Sequence, residues 1–526
     1  MDDFNNDNKN DEKNILNGLN QEKEKNDKIN KIVIIIAIIV IAILVLITII
    51  LIVGYANRKK QEMNQSIDIN KIAVNKGTDD TISNEVITKS NEEVIDDENA
   101  KFDRSYGKID VVWVDTTNNI IAKPLEPSLG KLTPVKYNST TYSFSKINVN
   151  NKANENWYDY DINRWANAVD DNGNYFVWIP RYAYKITYYS DSTYSKKIGY
   201  SDSRGILKIN DDGTLSRICK NNAGLIEVGN HYIVHPSFVK DVASGYRNGG
   251  WDSDISGFWV AKFETSLENS GANVETSSDS IGNVIASDLI KLVSKPAVSS
   301  WRNISVGNAF YNSYNFNREM ESHLIKNSEW GAIAYLTYSK YGLRNNNLIS
   351  NTSSSYITGN FRTEQGVFYY STNESSTYDE TGVYDLSGGA WEFVASFINN
   401  GYPRLNLYGG TSSNFLCENA NCTKYKTVYS NIQSDDGNGQ YSETFANLNY
   451  NLSSSIRGDA IFETSNNGYG NSSFNDNSSY FMQQDTPFLL RGGYYNNAVT
   501  AGLFSFVSSS GQPNEAEGYR VVLIND

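Results

Sequence analysis

Metal or nucleophile chemistry needs a short list of residue types, and this sequence is sparing with them. It holds three histidines and three cysteines among 526 residues. His231 and His235 stand four apart in HYIVH. The aromatic and β-branched neighbours make this stretch a strand, where residues i and i+4 lie along one face and do not close on one ion. They are therefore expected to be surface or core histidines. Cys417 and Cys422 lie close together in LCENANC. Two ligands fall short of the four that a structural zinc uses. Outside the cell the pair is expected to close a small disulfide loop. Cys219 is left over and expected to be buried. No G-x-S-x-G, P-loop or dinucleotide-binding pattern is present.

One further stretch has the look of a site. Residues 382–393 read GVYDLSGGAWEF. Gly388 and Gly389 permit a tight turn that a Cβ would block. Trp391 is large enough to anchor a loop-rich core, and its N–H then needs an acceptor. Glu392 is costly to bury alone, so it should meet backbone N–H groups, an arginine or a cation. Arg491 and Arg520 are the candidate partners.

The elements that must position these residues are mostly strands. Short aromatic and β-branched runs recur: DVVWV, YFVWIP, YAYKITYY, GFWVAKFE, VFYY and YRVVLI. Each is bounded by Gly, Asn, Asp or Ser, which marks turns. Helical spacing is rare. It is clearest over 327–340, where Trp330, Ile333, Ala334 and Leu336 or Thr337 recur and Asn327 or Ser328 could cap. A second candidate helix covers 305–316. Long loops at 343–380 and 398–485 separate these pieces, a pattern found in functional or disordered chain. The fold class expected is α+β with much irregular chain.

The first hundred residues read differently. Residues 1–31 are charged, Asn-rich and poor in apolar groups, as in a disordered cytoplasmic tail. Residues 32–53 are apolar apart from one Thr and carry no charge. That run is long enough to span a hydrocarbon layer of about 30 Å, so 32–54 is expected to be a transmembrane helix. Lysines upstream and Arg58, Lys59 and Lys60 downstream make the charge rule nearly neutral. The short polar N-terminus and the large C-terminal part with its cysteine pair favour a single-pass protein of the cell membrane, its C-terminal domain extracellular. Residues 55–100 read as a flexible stalk. Residues 101–173 read as an extension packed on a core domain at 174–526. The net charge of −14 and the lack of a basic patch exclude a nucleic-acid partner. With 36 tyrosines and many Asn and Ser, the surface suits adaptable contacts, although an AT-rich genome would give the same composition.

Several motifs occur in one order. YFVWIPRYAYKI (175–186), GFWVAKFETS (257–266), HLIKNSEWGAIAYL (323–336), GVYDLSGGAWEF (382–393), RGGYY (491–495) and GYRVVL (518–523) resemble the successive strands and helix of the formylglycine-generating enzyme (sulfatase-modifying factor) family. Glu264 and Thr265, Glu329 and Trp330, and Trp391 and Glu392 fall at the matching places. The resemblance implies a C-type lectin-like fold. It also implies a structural calcium held by Asp385, Gly388, Ala390 and Glu392, with Gly389 standing where the family has an asparagine. The family's oxidase chemistry uses copper on two cysteines between its last two motifs. Here that interval, 496–517, holds no cysteine. Copper(I) needs thiolates, so no copper is expected. Nor is iron, which another branch holds on three histidines.

The same lectin-like fold serves as a display scaffold in target proteins of diversity-generating retroelements, and RGGYY to GYRVVL resembles their variable end. Tyr494, Tyr495, Asn496, Asn497, Phe504, Phe506, Ser508 and Ser509 mix aromatic area with short polar groups, as binding faces do. Alternatively, alternate residues of this run pack the core. The reading is a membrane-anchored extracellular protein that binds a protein or glycan ligand without catalysis. The alternatives are a metal-dependent oxidoreductase with a displaced site and a structural cell-surface component.

Overall fold

The computed structural model describes residues 95–96, 102–148, 157–202, 205–217, 225–240, 250–268, 283–360, 362–364, 367–369, 371–410, 415–416, 424–430, 446–447, 450 and 457–525. All fall in one compact unit that begins at Val86. The apolar run at 32–53, the tail, most of the stalk and all three cysteines lie outside the described residues. So does the Cys417–Cys422 pairing. Among the described residues no helix is long and apolar enough to cross a membrane.

The principal elements, in chain order, begin with β1 (Gly107–Val114), β2 (Thr133–Asn138) and β3 (Asn167–Val169). Then come β4 (Tyr175–Pro180), β5 (Tyr182–Tyr189), β6 (Gly257–Ala261) and α1 (Val306–Tyr314). β7 (His323–Leu324), α2 (Asn327–Tyr338) and β8 (Trp391–Asn399) follow. The chain closes with β9 (Phe488–Gly492), β10 (Gly502–Ser509), β11 (Glu517–Tyr519) and β12 (Val521–Leu523). Shorter strands complete the sheet edges. The result is a mixed, β-rich fold with few helices.

The strands follow from their composition. YFVWIP is apolar at nearly every position, and β4 is buried on both faces from Phe176 to Pro180. β1 alternates buried and half-buried residues as a one-sided strand does. The described residues of 102–148 and 157–173 join the sheets of the later chain. β1 pairs antiparallel with β5 along Gly107–Trp113. β2 and β3 extend the sheet that runs β7–β12–β6–β4–β3–β2, with a short strand at Ser143–Lys146 beyond β2. β12 thus brings the C-terminal residues between β7 and β6.

A third sheet holds β8. It pairs antiparallel with β9, Glu392 facing Arg491, and parallel with β11, Glu392 facing Gly518. β10 lies on the far side of β9.

α2 forms where the spacing puts it, but every one of its twelve residues is buried. It is a central helix, which one-faced periodicity does not anticipate. Its N-cap is Lys326, one residue before the expected cap. The Glu329 carboxylate reaches back and accepts from the Lys326 N–H at 2.8 Å. α1 starts one residue inside its expected range, with Ser305 as N-cap. Trp113, Trp165, Trp178, Trp259, Trp301 and Trp330 are fully buried. Trp391 is not among them: at the start of β8 it is partly buried and packs against the core from its edge.

Candidate ligand-binding surface

GVYDLSGGAWEF occupies the centre of the unit. Gly388 and Gly389 have φ of +75° and +68°. A Cβ on Gly388 would run into the Asn351 backbone, and one on Gly389 would stand 2.6 Å from Oε1 of Glu264. Glu264 is fully buried and accepts from the Ala390 N–H at 2.8 Å and from the Ser300 hydroxyl. Glu392 is held by Arg520, whose Nε and Nη2 donate to its two oxygens at 2.9 and 2.6 Å. Arg491, the other candidate partner, turns elsewhere. Its Nη2 donates to the Ala460 and Leu503 carbonyls, and its guanidinium stacks 5.7 Å from the Trp330 ring. Asp385 accepts from Asn351 Nδ2 at 2.8 Å and from the Gly359 N–H.

Three carboxyl groups therefore gather around one guanidinium. Burial pushes Asp385 up to about 7, against the pull of Arg520. Burial, with the charges of Asp385 and Glu392 added, pushes Glu264 well above the usual carboxylate range. Burial also raises Glu392, less its pairing with Arg520. Of the residues expected to hold calcium, Asp385, Gly388, Ala390 and Glu392, Glu392 has both oxygens on the Arg520 guanidinium and Asp385 accepts from Asn351 and Gly359. This cluster is a buried ionic network.

The segment expected to bind begins after β9. After Gly492 and Gly493, residues 494–501 form a compact loop before β10. Asn497 Oδ1 accepts from the Tyr494 N–H at 2.8 Å, and the Thr500 hydroxyl donates to the Asn497 carbonyl at 2.9 Å. The Tyr495 ring meets Tyr494 at 5.4 Å and Tyr356 at 5.0 Å. Arg302 in turn lies 3.7 Å over Tyr356. The loop is tied by its own hydrogen bonds and by the ring of Tyr356.

A groove of about 530 Å³ lies beside it, lined by Asn347–Ser350, Thr352, Asn475–Asn477, Ala498, Val499 and Ala501–Leu503. Val499 is 83% exposed and Ile349 50% exposed at this rim. Singly exposed aliphatic side chains are ordinary on a protein surface; what sets these two apart is that both line one groove.

The eight residues expected to bind are split by the structure. Tyr494, Tyr495 and Asn497 are half-buried and Asn496 is exposed, all on the loop. Phe504 and Phe506 are fully buried and Ser509 nearly so. Phe504 packs on Tyr338 at 5.3 Å and Phe474 at 5.0 Å, and Ser509 donates to Glu517. Phe504 and Phe506 belong to the core because β10 is covered on both faces as far as Phe506. Ser508 is half-buried. Sequence reasoning missed Ile349, Val499 and the 475–477 wall. Lone β-branched residues inside the polar runs NNLISN and YNNAVTAG were the available signal for the first two.

Of the histidines, His235 is buried, and burial pushes it down to about 3. His323 is buried between Trp251 and Tyr425 and contacts both oxygens of Glu329, at 3.0 and 3.1 Å. His231 is partly exposed. With Asp202 and Glu227 it makes the one group of possible metal ligands found among the described residues. Arg217 Nη1 already stands 3.7 Å from Asp202 there.

No family model matches the chain. No curated protein matches it either. Among solved structures it matches a chain described as Major Tropism Determinant I1 Variant, at 12% identity and a TM-score of 0.22, covering 79% of this chain and 99% of that one. A score that low supports no inference about fold or function.

Proposed function

We infer that the chain is a single-pass membrane protein of the cell surface, displaying a non-catalytic, C-type lectin-like domain of the formylglycine-generating type that binds an extracellular protein or glycan. The observation that carries the binding part is the 494–501 loop with exposed Val499 beside a groove rimmed by Ile349. Support for the scaffold comes from the meeting of Glu264, Asp385, Glu392 and Arg520 in one buried network. These four come from three motifs far apart in sequence. The anchor rests on the uncharged apolar run at 32–53.

The full chain in detergent, screened on glycan and extracellular-protein arrays, should bind a specific ligand. Val499→Asp and Ile349→Asp should each weaken that binding at least tenfold, without loss of fold. Binding untouched by both would refute this groove. Oxygen uptake with a cysteine-containing peptide, or stoichiometric copper or iron, would turn the reading toward the displaced-site oxidoreductase. Self-association in light scattering, without ligand binding, would favour a structural surface component.

A further inference from the structure

A second cavity lies apart from the groove and shares no lining residue with it. Its volume of about 410 Å³ is that of a small-ligand pocket. One wall is the hairpin of β2 and the strand Ser143–Lys146. Tyr137 stands opposite Phe144 there, their ring centroids 5.3 Å apart. The buried indoles of Trp157 and Trp165 line it as well. Both indole N–H groups are already taken, Trp157 by the Val135 and Asn167 carbonyls and Trp165 by the Tyr341 carbonyl. The indoles therefore offer apolar surface and no donor.

The turn at 379–381 carries acidic groups to the same cavity. It is pinned from the core. Lys262 is fully buried, and its ammonium donates to the Glu380 and Gly382 carbonyls at 2.6 and 2.8 Å and to Asn167 Oδ1 at 2.8 Å. Asn167 Nδ2 donates to the Thr381 carbonyl at 2.7 Å. A lysine seldom enters a core; here it fixes a turn. Asp379 is fixed too. Its Oδ1 accepts from the Thr377 hydroxyl at 2.6 Å and from the Thr381 N–H and hydroxyl, both at 2.7 Å. Its Oδ2 accepts from no group among the described residues. One carboxylate oxygen with open lone pairs is thus held in place on a residue that lines the cavity.

The charges of the lining decide the ligand class. Lys136 and Arg164 are positive, Asp379 and Glu380 negative, so the sum is zero. A cation would meet the two bases, and an anion the two acids. A neutral molecule with hydroxyl donors and apolar C–H faces meets neither repulsion. A sugar ring has both features. We propose that this cavity binds one neutral sugar residue at the end of a glycan. Asp379 Oδ2 accepts from a sugar hydroxyl, and the rings of Tyr137 and Phe144 pack on its C–H face.

The test titrates the full chain, in a detergent without a sugar headgroup, with the methyl glycosides of glucose, galactose, mannose and N-acetylglucosamine. Saturation-transfer NMR and calorimetry read the binding. At least one glycoside should bind. Asp379→Asn keeps an oxygen for the three donors and puts an NH2 group in place of Oδ2, so it should weaken that glycoside roughly tenfold or more. Phe144→Ala, which trims a half-buried ring, should weaken it as well, and decides the matter should Asp379→Asn fail to fold. Binding by none of the four overturns the proposal. So does equal affinity in wild type and both variants, or tighter binding of a cation, N-acetyl-lysine methylamide, than of any glycoside. The Val499 and Ile349 variants probe a different surface, so either site can fail alone.

Discussion

Arg520 closes on Glu392 through two hydrogen bonds, 2.9 Å from Nε to Oε2 and 2.6 Å from Nη2 to Oε1, with neither side chain exposed to solvent. Its Nη1 donates to the Ala261 carbonyl at 2.9 Å, and Nη2 also reaches the Tyr384 carbonyl at 2.8 Å. One guanidinium, on the residue before β12, therefore joins β6, β8 and the Tyr384 segment. Removing it strands a buried charge. Arg520→Met should cost about 3–5 kcal/mol, the usual toll for breaking one side of a buried pair. The double replacement Arg520→Met with Glu392→Leu should cost less than the sum of the two singles. Denaturant unfolding of the four proteins gives the coupling directly.

Acidity should affect this fold in an unusual direction. Asp385 and Asp459 are each pushed up to about 7 by burial, and Glu517 up to about 8. Each folded-state value lies above that of the unfolded chain. Their contribution to stability is therefore full below the unfolded values and lost as pH rises through the folded ones. His235, pushed down to about 3, works the opposite way between 6.5 and 3. Three carboxyls outweigh one imidazole, so the described unit should be more stable at pH 5 than at pH 8. One titrating group gives at most about 1.4 kcal/mol per pH unit. Asp385→Asn should flatten the profile between pH 4 and 7. Melting temperatures across that range, equal in both proteins, would remove Asp385 as a source of the slope.

The sequence made the order and type of most elements legible, because aromatic and β-branched runs bounded by turn residues have few other uses. It also made Glu392 legible as a charge in need of a partner, and Arg520 as one of two choices. Position within the fold was harder to read. Trp391 stands beside Glu392 in sequence, yet is only partly buried at the core's edge, while Trp178 and Trp259, paired across β4 and β6, are fully buried. Phe504 and Phe506 alternate with Ser505 as a one-sided strand would, but β10 is covered on both sides, so all three are buried. The groove escaped for a different reason. One wall, 347–352, lies more than a hundred residues before the other two, and only tertiary packing brings it against 475–477 and 498–503.

Close approach at the Gly–Gly turn can be separated from backbone strain. Gly389 and Gly401 both have positive φ, +68° and +70°. A Cβ on Gly401 meets nothing within 4 Å, whereas one on Gly389 lies 2.6 Å from Glu264 Oε1. Left-handed strain of roughly 1 kcal/mol is common to both alanine variants. Gly389→Ala should add a further loss of about 1–3 kcal/mol from displacing a buried carboxylate that holds a backbone N–H. Equal losses for the two variants in urea unfolding would mean that Glu264 shifts without cost.

Val499 offers the sharpest separation of binding from stability. Its side chain is 83% exposed, next to a loop whose own hydrogen bonds do not involve it. Val499→Ala should change stability by no more than about 0.5 kcal/mol, as surface substitutions do. An aliphatic anchor that becomes buried in a complex is worth about 1–2 kcal/mol or more, so the same variant should weaken the ligand tenfold or thereabouts. Phe504→Ala should behave in reverse. It removes a fully buried ring that packs on Tyr338 and Phe474, so it should cost about 3–5 kcal/mol of stability. Any loss of binding by that variant should disappear once only its folded fraction is counted. Binding curves corrected for folded fraction, for both variants, check the pair. If Phe504→Ala loses affinity and Val499→Ala does not, the contact surface lies along β10 and not on the loop.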